Sequence, residues 1–104
     1  KLGGIYEATG DWQNALKNYE SQLNLFLEIY ASSPENLSYK NGLAISYIKL
    51  GIIQLNENIL NKAAAKELLE KAFQLYQEIR AMAPEIHEYE KNYTWLDNKL
   101  KELM

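Results

Sequence analysis

Histidine, cysteine and paired carboxylates are where most neutral-pH chemistry starts, and this chain offers few of them. It has one histidine, His87, one arginine, Arg80, and no cysteine. Without cysteine there is no disulfide framework, thiolate zinc site or cysteine nucleophile. His87 sits beside Glu88 and one helical turn from Glu90, but one imidazole with two solvated carboxylates is a poor metal ligand set. It reads as a surface histidine in the first turn of a helix. Glu67 and Glu70 share a helix face and resemble a carboxylate pair. Lys66 and Lys71 beside them make that face a solvated, charge-paired one. Gly3-Gly4 lacks the downstream Gly-Lys-Ser/Thr of a phosphate loop. Two tripeptides, Asn36-Leu37-Ser38 and Asn92-Tyr93-Thr94, match the glycosylation acceptor pattern, as ten asparagines would produce by chance. No convergent set of titratable groups emerges, so the expectation is a protein that is not an enzyme and needs no cofactor or metal. A net charge of −3 and a single arginine supply little to displace counterions from phosphates, so nucleic acid is not an expected partner.

These residues must be carried by helices. The 104 residues suit one small domain, 47% of them hydrophobic and 24% charged. Valine is absent and threonine occurs twice, while leucine, alanine, glutamate, lysine and glutamine abound, a bias toward helix over strand. No apolar run is long enough to span a bilayer. Gly10-Asp11-Trp12 reads as a stop followed by a capped start. From there Ala15, Leu16, Tyr19, Leu23, Phe26, Leu27 and Tyr30 recur at spacings of three and four, the signature of an amphipathic helix. Ser33-Pro34-Glu35 predicts the next helix start, with Ser33 as N-cap and Pro34 in the first turn, and Ala83-Pro84-Glu85 repeats that pattern. Asn56-Glu57-Asn58 is the predicted turn between them, with a further helix from near Asn61. A short helical tail followed by four long helices with short connections should pack as antiparallel neighbours.

Self-comparison reveals a repeat. Lys1-Leu2-Gly3 returns as Lys49-Leu50-Gly51 and, degraded, as Lys99-Leu100-Lys101. Ala15 and Tyr19 return fifty residues later as Ala65 and Leu69, Pro34-Glu35 as Pro84-Glu85, and Tyr39 as Tyr89. The change of shift from 48 to 50 places a two-residue insertion around Ile59-Leu60. A fixed period of this kind signals a solenoid of helix pairs. The residues resemble the tetratricopeptide repeat, whose pattern is W-x2-L-G-x2-Y, then A-x3-F, then P. Here Tyr47-x2-Leu50-Gly51-x2-Gln54, Ala65-x3-Leu69 and Pro84 form one unit, and Leu2-Gly3-x2-Tyr6, Ala15-x3-Tyr19 and Pro34 a truncated one. Fifteen residues from Tyr19 to Pro34, and from Leu69 to Pro84, make it similar to the long-repeat variety. Gln54 replaces the second aromatic of the pattern, and Lys101 replaces a glycine, so the last helix suits a terminal cap.

The resemblance implies an all-α fold of antiparallel helix hairpins stacked as a right-handed solenoid: a truncated first repeat at 1–34, a second at 35–84, and a third first-helix or cap at 85–104. Lys1-Leu2-Gly3 reads as the middle of a helix, so a larger array is expected around this chain, and no residue sets a compartment. The helix from Glu35 is apolar on two faces. Leu43, Ala44, Tyr47, Leu50 and Gly51 fall at the family's hairpin-packing positions. Ile45, Ile48, Lys49, Ile52, Leu55 and Asn56, with Trp95, Asn98 and Lys99 of the last helix, fall at positions that line its concave groove. The expected role is a non-catalytic scaffold holding a peptide or partner helix on that face. The alternative is a structural element that self-associates through the same stripe.

Overall fold

The computed structural model describes residues 12–56 and 60–104, and its ordered elements there are four α-helices: α1 (Trp12–Ser32), α2 (Leu37–Gln54), α3 (Lys62–Met82) and α4 (His87–Glu102). The expected tail over 1–9, with Gly3 and Tyr6 of the first motif, lies outside the described residues. Among those described, each helix packs against its neighbours in sequence and against no other: α1 on α2, α2 on α3, α3 on α4.

Every step of that packing is antiparallel. The start of α2 meets the end of α3 through Lys40 Nζ and Glu78 Oε1 at 2.9 Å, while the end of α2 meets the start of α3 where Gly51 lies against Leu69 and Ala65. Gly42 of α2 faces Phe26, late in α1, and Ile53 joins Ala15, early in α1. Arg80 of α3 reaches Glu90 of α4 at 2.9 Å, and further along Phe73 stacks on Tyr93 with ring centroids 4.7 Å apart. The Arg80 guanidinium lies over the same Tyr93 ring at 3.7 Å, so aromatic and charged groups clasp this hairpin together.

Small residues let the helices approach and large ones fill the space beside them. Ala15, Ala44, Ala65 and Ala72 are fully sealed, alongside Leu69, Tyr76, Ile79 and Leu96. Two buried clusters result. The larger runs from Leu43 and Ala44 through α3 to Tyr89 and Leu96, and the smaller joins Ala15 to Leu50 and Ile53.

The repeat visible in the sequence is also visible in the helices. α1 and α3 are each 21 residues long, offset by fifty positions, and α2 and α4 begin with the same offset. The connections match: the Asn36 N–H donates to the Ser33 carbonyl and the Ile86 N–H to the Ala83 carbonyl, both at 3.1 Å. Here the helix-start expectation needs correcting. Ser33, Pro34 and Glu35 form a turn, and the N-cap lies three residues later, at Asn36, which accepts from the Tyr39 N–H at 3.0 Å. Proline's ring tolerates either site, but only Asn36 has a side-chain acceptor at the required reach. The same shift moves the last helix start to His87, behind an Ile86 that gives no side-chain cap.

The third helix begins near Asn61 as expected, and Asn61 caps it, accepting from the Ala64 N–H at 3.1 Å. Of the two residues assigned to the insertion, Ile59 is outside the described residues, and Leu60 holds a positive φ of 44°. Its N–H donates to the Asn56 carbonyl, while the Asn61 N–H donates to Gln54, both at 2.8 Å. A leucine in the left-handed region costs about 1–2 kcal/mol, and at 70% exposure Leu60 recovers little by packing. Leu60→Asn should therefore raise stability by about 0.5–1 kcal/mol, seen as a higher urea midpoint at unchanged m-value.

Candidate functional site

The residues assigned to the groove divide between two helices that do not touch directly. On α2, Ile45, Ile48 and Lys49 are half-buried and Ile52 is exposed at 44%, and Leu55 and Asn56 just beyond its end are half-buried. Ile48 also packs against the larger core cluster, so it is partly structural. On α4, Trp95 is 41% exposed, Asn98 is exposed, and Lys99 is half-buried with its ammonium 3.6 Å from Glu102. Trp95 and Asn98 wall a shallow hollow of about 590 Å³ on the outer side of α4, together with His87, Glu90, Lys91 and Thr94.

What connects the two helices is a polar chain that the sequence reading did not single out. The Tyr76 hydroxyl of α3 donates to Asn41 Oδ1 of α2 and accepts from Asn92 Nδ2 of α4 at 3.1 Å. Tyr76 itself is fully sealed. Burial pushes its pKa up to about 12, with the Glu88 charge also raising it and the Asn92 hydrogen bond pulling the other way. Asn41, Ile45, Ile48 and Ile52 succeed one another at spacings of four, three and four, which is one stripe of a helix; Asn92, Trp95 and Lys99 form another. Two antiparallel steps make α2 and α4 parallel, and the chain through Tyr76 fixes Asn41 and Asn92 at the same height. The Asn41 end of one stripe and the Asn92 end of the other are thus joined through the sealed Tyr76 hydroxyl.

The polarity of this link follows from counting donors. A phenol has one O–H, so it donates to one carboxamide and accepts from the other. Asn41 is left with its NH2 unused and Asn92 with its carbonyl, among the described residues. Neither atom is sealed from water, since the one sealed and unpartnered side-chain atom found among the described residues is Asn18 Nδ2. The two carboxamides thus offer one donor and one acceptor, with Ile45 one turn along α2 and Trp95 one turn along α4. The clue in the sequence was position: Asn41 stands one turn before Ile45, and Asn92 one turn before Trp95.

Several charged groups elsewhere are engaged in pairs. Glu67 meets Lys71 at 3.7 Å on an exposed face. The hydrogen bond that Arg80 donates to Glu90 raises the pKa of Arg80. His87 is exposed in the first turn of α4, and no group of three or more His, Asp or Glu among the described residues is placed to hold a metal ion. A second hollow, of about 220 Å³ between α1, α2 and α3, is lined by Leu27, Tyr30, Tyr47 and Leu75 with Lys71 and Glu78. No helix among the described residues is long and apolar enough to cross a membrane. The sequence matches no family model, no curated protein and no solved structure.

Proposed function

We propose that this chain is a non-catalytic interaction scaffold, built as a right-handed solenoid of tetratricopeptide-like helix hairpins, and that it holds a peptide between α2 and α4. Support for the solenoid comes from the fifty-residue offset shared by helices and turns, and from packing confined to neighbours in sequence. The observation that carries the binding role is the unused donor and acceptor flanking Tyr76, with Ile45 one turn along α2 and Trp95 one turn along α4. An extended peptide offers an N–H and a C=O side by side, which is what Asn92 and Asn41 can take. A helix has already spent its backbone groups on itself, so these two groups favour a peptide over a partner helix. Ile45, Ile52 and Trp95 would supply apolar contact, and Lys49 and Lys99 orientation.

A random-peptide display library panned on the wild-type chain tests this. Selected peptides should lose about thirtyfold in affinity against Ile52→Glu, the cost of removing one apolar anchor, with the helical circular dichroism signal unchanged. Ile52 is the better probe than Ile48, whose packing against the core would confuse folding with binding. Peptides that bind Ile52→Glu as well as wild type would remove the groove. Light scattering on the same pair decides the competing reading: a wild-type dimer that Ile52→Glu converts into a folded monomer would make the stripe a self-association surface.

A further inference from the structure

We propose that Asn41-Gly42 is a deamidation site kept silent by the fold, so that opening of the first turns of α2 is recorded as a permanent covalent change. It is the one asparagine-glycine pair in the sequence, and glycine is the residue that least hinders attack of its own backbone nitrogen on the preceding carboxamide. In that reaction the Gly42 nitrogen bonds to Asn41 Cγ and loses its proton, ammonia leaves, and a cyclic succinimide forms. Water then opens either carbonyl, giving aspartate or, in larger share, isoaspartate. No oxidant or metal enters, and water is the sole co-reactant.

Packing explains both why the pair is present and why it is quiet. A methyl group at Gly42 would overlap the ring of Phe26 from α1, so glycine is the residue that lets α1 and α2 approach here without displacing that ring. Asn41 is held by its partner on α3, since its Oδ1 accepts from the sealed Tyr76 hydroxyl. The nucleophile is held too: inside α2 the Gly42 N–H belongs to the helical ladder, directed at the carbonyl four residues back. Attack needs the carboxamide turned onto that nitrogen, which requires the Tyr76 bond and the ladder bond to open together. The gate is the start of α2, five residues after the Asn36 cap.

The two products differ in consequence. Aspartate at 41 still accepts from Tyr76, so the fold survives, but the link exchanges the Asn41 amide donor for a negative charge. Isoaspartate lengthens the backbone by one methylene within α2, shifting the register of everything before it. Opening would thus be converted into either an altered link or a chain unable to rebuild α2.

The test is incubation of the 104-residue chain at neutral pH, with isoaspartate and aspartate at position 41 quantified by peptide mapping. Folded wild type should react about a hundredfold more slowly than the same chain in urea. Tyr76→Phe, which removes the tether, should react about tenfold faster than wild type while folded, and Asn36→Ala, which removes the cap, about fivefold faster. Leu100→Ala trims a half-buried leucine in the last turns of α4 and should leave the rate unchanged. Wild type reacting as fast folded as in urea would overturn the proposal. So would a Tyr76→Phe rate equal to wild type, or a Leu100→Ala rate matching that of Tyr76→Phe, which would place the gate in global unfolding rather than at Asn41.

Discussion

Tyr76→Ala should cost the fold about 3–5 kcal/mol, and Tyr76→Phe about 1–2 kcal/mol. Alanine empties the space of a sealed ring that sits in the larger core and lies 6.3 Å, centroid to centroid, from Tyr89. Phenylalanine keeps the ring and removes one hydroxyl, leaving Asn41 and Asn92 without the group that joins them. Because a domain of this size is stable by only about 5–15 kcal/mol, the alanine variant approaches the unfolding threshold, while the phenylalanine variant stays folded. Urea titrations of the three proteins check the order. An alkaline titration checks the cause. The buried phenol has its pKa raised from 10.0 to about 12, so above pH 10 the unfolded chain releases a proton that the folded chain keeps. The unfolded state then binds fewer protons, and stability falls as pH rises from 10 toward 12. Tyr76→Phe should show a shallower fall in that window than wild type. Equal slopes in the two proteins would mean that the hydroxyl is not held in the protonated state by burial.

That tyrosine also marks the boundary of what the sequence discloses. Its place on the apolar face of α3 was legible, because Ala65, Leu69, Ala72, Tyr76 and Ile79 recur at helical spacing and all are buried. Its hydroxyl's partners were not, since Asn41 and Asn92 lie far off in sequence and meet it only through tertiary packing. Helix identities were legible for the same reason of periodicity, and α3 starts where it was expected, next to Asn61. The starts of α2 and α4 slipped by three residues because proline suits a turn and a first helical position equally, and periodicity does not say which. On α2 the apolar residues run nearly all round the helix. Ile53 is buried beside Ala15, Ile45 and Ile48 are half-buried, and Ile52 stays in water. Type alone could not separate four isoleucines whose fates depend on where α1 and α3 press against the helix. Lys40 shows the reverse case: a charged residue reads as solvated, yet it is buried, with its ammonium drawn out to Glu78 and 3.7 Å from the Met82 sulfur.

Leu69→Ala should destabilise the chain by about 2–5 kcal/mol, and Gly51→Val by about 1–3 kcal/mol, but the double variant should cost less than the sum by about 1 kcal/mol or more. The prediction rests on one crossing. A β-carbon at Gly51 would lie 3.0 Å from Leu69 Cδ2 and Cγ and 3.4 Å from the Ala65 carbonyl oxygen. Leu69 is fully sealed and its branch point, not merely its tip, faces the glycine, so a side chain added at 51 cannot be cleared by a small rotation. Gly42 differs, because there the obstructing atoms are the outer edge of the half-buried Phe26 ring, which has room to swing. Removing the leucine branch opens the volume that valine at 51 would occupy, so each change relieves part of the other's cost. Measured by urea denaturation, the four corners of this cycle should show favourable coupling, and the matching cycle of Gly42→Val with Leu69→Ala should be additive. Additivity at Gly51 would mean that α2 and α3 move apart to accept the side chain. The tight crossing, which is also where the sequence repeats its glycine and alanine, would then not be what sets the distance between the helices.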